Sequence, residues 1–145
     1  MTNQTLLTFN YPNSIIHEYH NWAVLLRPQQ ITLGSLILAT KSNATSFSNL
    51  QEPCFIELPT VIKNIEHSLK KIFNYQKINY LMLMMVDPHV HWHVIPRYDQ
   101  PQLFDTISFQ DPGWPALPNF KHTTALSQDQ YDHLLSFIKK QWVLD

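Results

Sequence analysis

Three histidines stand at alternate positions, His89, His91 and His93, in the segment Asp87-Pro88-His89-Val90-His91-Trp92-His93-Val94-Ile95-Pro96-Arg97-Tyr98. Side chains alternate along a β-strand, so an extended segment puts the three imidazoles on one face and Val90, Trp92 and Val94 on the other. Three chemistries suit such a face. Two histidines at i and i+2 can coordinate zinc through ring nitrogens, with the third histidine, Asp87 or Asp99 completing an open site. A single histidine can act as general acid or base with its neighbours as hydrogen-bonding partners. A neutral imidazole can also attack as a nucleophile, because a hydrogen bond from one ring N–H fixes which nitrogen keeps its lone pair. The flanking imidazoles would then stabilise charge growing on phosphate oxygens and pass a proton to a leaving group. A polar strand face without chemistry is the bland alternative.

Other residues are weaker candidates. Arg97, just past the histidines, could pair with a phosphate or serve as an ordinary surface or interface charge. Trp114, flanked by proline in Asp111-Pro112-Gly113-Trp114-Pro115, could stack on a base. Trp22, Trp92 and Trp142 read as core or interface aromatics. His17, His20, His67, His122 and His133 have no partner in the sequence that gives them a chemical role. Serine-based hydrolysis needs a serine on a sharp glycine-flanked elbow, and no such sequence occurs.

The elements that must carry the histidines follow from patterning. Ile15 to Tyr19, Trp22 to Leu26 and Leu36 to Ala39 are β-type runs separated by His20-Asn21 and by Arg27 to Gly34, which predicts an antiparallel meander. Leu58, Val61, Ile62, Ile65, Leu69, Ile72 and Phe73 recur at helical spacing. They predict one amphipathic helix whose start lies between about Gln51 and Leu58, because Pro59 would sit near its first turn or kink it. Ile78 to Val86 is almost wholly apolar and predicts a strand buried on both faces, with His89 to Ile95 as the next strand. Residues 99–124, rich in proline and aromatics, read as an ordered arm. Ser127 and Gln130 form a capping box for a terminal helix with Tyr131, Leu134, Leu135, Ile138 and Trp142 on one face.

Composition narrows the function. The 145 residues suffice for one domain with a real core, at 44% hydrophobic content. Only two glycines exclude a phosphate-cradling glycine loop. Ten basic against eleven acidic residues, with no basic face, argue against nucleic acid as a partner. Cys54 is the single cysteine and can form no internal disulfide, which suits a reducing compartment. The first residues carry no secretion signal and no apolar run reaches membrane-spanning length, so the expectation is a cytoplasmic protein without a membrane partner.

The sequence from His89 to Ile95 resembles the His-φ-His-φ-His-φ-φ signature of the histidine-triad family, which Pro96-Arg97 continues as in many members. The order of meander, long helix and strand leading into the motif is similar too, and the Asp111 to Pro115 segment resembles a bacterial branch. The resemblance spans about residues 14–115 of what reads as a single domain over 1–145. It implies an α+β fold, with an antiparallel sheet of about five strands, one long helix and a C-terminal helix, often as a homodimer. It further implies cleavage of nucleoside phosphoramidates, adenylates or dinucleoside polyphosphates at the α-phosphorus through a nucleotidyl-histidine intermediate. His91 would be the nucleophile, with His89 and His93 supporting it. No metal cofactor is required in that scheme, although a divalent cation can accompany the substrate. Many members carry Gly-His where this chain has Gly34-Ser35, so Ser35 would offer the substrate only a neutral hydroxyl, and restoring histidine there would be expected to raise turnover. The Met84 to Pro88 stretch also lacks the glycine and amide donor found in many members. A nucleotide-binding module with little turnover, or a small metal-binding protein, are the competing expectations.

Overall fold

The computed structural model describes residues 1–145. Its elements are α1 (Gln4–Thr8), β1 (Ile15–Glu18), β2 (Trp22–Leu26), β3 (Leu36–Thr40), a 3-10 turn (Phe47–Asn49), α2 (Glu52–Phe73), β4 (Lys77–Leu81), β5 (His91–Arg97), the small hairpin β6 (Gln102–Phe104) and β7 (Ile107–Phe109), and α3 (Gln128–Gln141). The main sheet has five antiparallel strands in the order β1-β2-β3-β5-β4. The expected α+β architecture is present.

Strand alternation divides the sheet into two apolar faces. On one, Trp22, Val24, Leu26, Leu36, Leu38 and Val94 meet Val61, Ile65 and Leu69 of α2 and Leu134 and Ile138 of α3. Each such side chain taken out of water contributes about 1.5 to 3 kcal/mol, which explains why both helices lie on this side. The capping box of Ser127 and Gln130 starts α3 as expected. α2 begins at Glu52, with proline in its first turn, and runs through Pro59 to Asn74, which ends it in the left-handed region.

The other face holds Ala23, Leu25, Ile37 and Ala39, and no periodicity in the sequence points to what covers it. α1 does so, with Leu6 and Phe9 packed onto the sheet. Five residues cannot sustain a free helix, so α1 is held by tertiary contacts. Asn3 caps it by accepting from the Leu6 N–H, while its side-chain amide donates to the carbonyls of Thr40 and Ser42.

Two strand expectations need correction. The run Ile78 to Val86 is not a strand buried on both faces: β4 ends at Leu81, lies at the sheet edge and is half-buried. Side-chain alternation persists beyond it, with Met82 and Met84 packed against the core and Leu83 and Met85 exposed, but no neighbouring strand takes up the backbone. Likewise β5 starts at His91 rather than His89, and Pro88, which has no N–H to give a ladder, stands just before.

Gly34 enters β3 with φ of +86°, and a Cβ there would lie 2.9 Å from the Phe73 ring. Glycine is required on both counts.

Candidate active site

β5 puts His91 opposite Ala39 and His93 opposite Ile37, on the face covered by α1. Their ring centroids are 5.1 Å apart at 74°. His91 is wholly buried and His93 nearly so. The Nδ1 of His91 lies 2.7 Å from the His89 carbonyl. A carbonyl oxygen only accepts, so in the neutral ring the proton sits on Nδ1 and Nε2 keeps a lone pair. That Nε2 is buried and has no hydrogen-bond partner.

His89 lies before the strand and is held differently. Its backbone N–H donates to Thr5 Oγ1 at 3.1 Å, and its Nδ1 lies 3.0 Å from the same hydroxyl. Thr5 is itself completely buried. His91 and His93 therefore come together on the strand, whereas His89, clipped by α1 before the strand begins, is tied to His91 through its backbone carbonyl.

The surroundings are aromatic and cationic. Phe9 packs 5.8 Å from the His91 ring and 6.0 Å from that of His93, and Phe120 from the arm reaches His93 at 5.2 Å. Arg27 lies over the Phe120 ring, its guanidinium carbon 5.8 Å from the centroid. Its Nη1 donates to the Gln29 carbonyl, while Nε is buried without a partner. Burial, then the Arg27 charge and then His91 push the His93 pKa down to about 4, so this ring is neutral near pH 7. Thr5, Phe9, Arg27 and Phe120 were not picked out from the sequence. For Arg27 a signal existed, since Ala23, Leu25 and Arg27 share one strand parity.

The weaker candidates sit elsewhere. Arg97 is no free phosphate ligand: it forms a bidentate pair with Asp111 at 2.7 and 3.0 Å and donates to Asn79 and to the Ala116 carbonyl. Burial of its charge demands such partners, and they tie the arm to β5. Ser35 is also committed, donating to the Thr32 carbonyl at 2.8 Å and accepting from the Thr32 N–H at 3.0 Å inside a closed turn. Trp114 lines a cavity of about 650 Å³ between the arm and β4, and no triad histidine borders it. Gly113 permits the turn there, since a Cβ would fall 2.1 Å from the Leu117 carbonyl. No three histidine, cysteine or acidic side chains come together as a ligand set for a metal ion, Asp87 and Asp99 included. No helix is long and apolar enough to cross a membrane.

A model of the HIT domain matches residues 9–100, well over half of the chain. The chain belongs to the histidine-triad family. Solved structures of histidine-triad proteins share its fold throughout. One from Sinorhizobium meliloti is 18% identical, with a TM-score of 0.74 over 97% of this chain and 96% of its own. One from Bradyrhizobium japonicum is 19% identical, with a TM-score of 0.70 over 99% and 98%. A diadenosine triphosphate hydrolase from Plasmodium falciparum is 14% identical, with a TM-score of 0.63 over 89% of this chain and 76% of its own. No curated protein matches in sequence. Within the histidine-triad fold, the wholly covered His91 is the feature any functional reading must accommodate.

Proposed function

We propose that this protein is a nucleotide phosphohydrolase or nucleotidyl transferase acting at an α-phosphorus, with His91 as nucleophile. The observation that carries this reading is the Nε2 of His91, its lone pair fixed by the Nδ1–H bond to the His89 carbonyl and left without a protein partner. Family membership and the nucleotide-cleaving relative support the substrate class: a nucleoside phosphoramidate, an adenylate or a dinucleoside polyphosphate.

In the first step Nε2 forms a bond to phosphorus as the bond to the leaving group breaks, and the leaving group takes up a proton. In the second, water forms a P–O bond and releases a proton to solvent, the N–P bond breaks to return its electron pair to Nε2, and a nucleoside monophosphate departs; an alcohol or second phosphate in place of water gives transfer. His89 and His93 contact the phosphate and leaving group, and the Arg27 cation beside His93 favours an anionic ligand. The scheme needs no resident metal, and a divalent ion would enter only with a polyphosphate substrate. The burial of His91 favours a second reading, a nucleotide-binding module with little turnover.

A panel of adenosine phosphoramidate, adenylates and dinucleoside polyphosphates separates the two. Turnover, together with a nucleotide mass trapped on the peptide containing His91 in the presence of chelator, is the expected result. Binding without turnover supports the second reading, and activity lost to chelator with no adduct sinks the nucleophile. The open backbone edge of β4 suits pairing with a second copy of the chain, and a homodimer is part of this proposal. Sedimentation showing only monomer at micromolar concentration would remove that part.

A further inference from the structure

We propose that Thr5 is a positioning residue that locks His89 with its ring proton on Nε2, so that the residue whose carbonyl orients the His91 ring itself presents a hydrogen-bond donor. The two residues are 84 positions apart in sequence, and α1 carries Thr5 to within hydrogen-bond distance of the His89 ring. The hydroxyl has one proton to donate and two lone pairs to accept with. One lone pair takes the His89 backbone N–H at 3.1 Å. The other contact, 3.0 Å to Nδ1, can run in either direction in principle. If Nδ1 carried the proton, Oγ1 would accept twice and its own hydrogen would be buried and unpaired, because Thr5 is wholly inaccessible and makes no third hydrogen bond. The buried hydroxyl hydrogen and the His89 backbone N–H are both paired only when Oγ1–H donates to Nδ1. The His89 proton then resides on Nε2.

One hydroxyl thereby stands behind two histidines. Its bonds fix the His89 backbone and ring, and the His89 carbonyl in turn holds the Nδ1–H of His91. The outcome is a complementary pair, an acceptor Nε2 on His91 aimed at phosphorus and a donor Nε2–H on His89 for a phosphate oxygen. Asn3, Leu6 and Phe9 keep Thr5 in place by anchoring α1 to β3 and to the sheet. The catalytic consequence rests on the function proposed above, whereas the tautomer does not.

The test uses the full chain labelled with ¹⁵N-histidine, its two-bond proton–nitrogen spectra recorded at about pH 8, above the usual imidazole range. The signal of His89 is identified by its loss in His89→Gln. Wild type and Thr5→Ser should show His89 protonated on Nε2, and Thr5→Val should show a mixture or the Nδ1 form. In turnover, Thr5→Val should lower kcat by about 10- to 100-fold with little change in KM, and Thr5→Ser should restore it. A wild-type His89 protonated on Nδ1, or a folded Thr5→Val with an unaltered His89 spectrum, overturns the proposal. Should Thr5→Val fail to fold, the wild-type and Thr5→Ser spectra decide. If no nucleotide is turned over by the wild type, the functional reading falls while the spectra still judge Thr5.

Discussion

At the scale of single residues, the hydrogen bond to the His89 carbonyl sets His91, the proposed nucleophile, apart from His89 and His93. Removing the attacking nitrogen deletes the covalent route, whereas removing a supporting imidazole typically costs about 10²- to 10⁴-fold. His91→Ala should therefore abolish adduct and turnover while retaining nucleotide affinity, and His89→Ala and His93→Ala should be milder; steady-state kinetics that reverse this order would exclude His91 as nucleophile. Ser35 is a contrasting case. The sequence comparison invites Ser35→His as an activating change, but the hydroxyl closes a turn through Thr32 and the residue is wholly buried. An imidazole there overpacks the turn and leaves the Thr32 N–H unpaired, at a cost of about 1 to 3 kcal/mol. Urea denaturation should show that loss, and a variant as stable as wild type would mean that the turn adapts.

Elements differ in how much of them the sequence discloses. The meander was legible because Trp22 to Leu26 and Leu36 to Ala39 are continuous apolar runs between clear breaks, and α2 and α3 because their apolar stripes and the Ser127 cap are local signals. The apolar run suggests a longer β4 because it reports burial of side chains, whereas backbone pairing with β5 stops at Leu81 opposite His93. α1 escaped notice because a five-residue helix has no period of its own and is held by Asn3 reaching carbonyls some 40 positions away. The candidate site split in the same way: the triad was a local pattern, while Thr5, Phe9 and Phe120 reach it only through tertiary packing. Phe9 makes α1 a cover. Phe9→Ala should lower stability by about 3 to 5 kcal/mol if the site cannot collapse. It should also speed carbethoxylation of His91, followed by peptide mass analysis; an unchanged rate would show that access runs past Phe120 or Arg27 instead.

For the whole molecule, a buried neutral histidine links the site to the pH dependence of folding. His93 titrates at about 4 when folded, held down by burial, by Arg27 and by His91, against about 6.5 for an unfolded histidine. Between these values the unfolded chain binds a proton that the folded chain does not, so unfolding gains on acidification. The stability contributed by keeping His93 neutral is thus complete above about pH 6.5 and declines as pH falls towards 4, below which it is flat. The full effect is about 2 to 3 kcal/mol, counting partial solvent screening. His93→Phe keeps a ring between Phe9 and Phe120 and removes the titration. Urea midpoints measured from about pH 7.5 down to about pH 4.5 should fall more steeply in wild type than in His93→Phe. Parallel profiles for the two proteins would mean that His93 protonates readily in the folded state, which would require Phe9 or Phe120 to swing away and admit water to the triad.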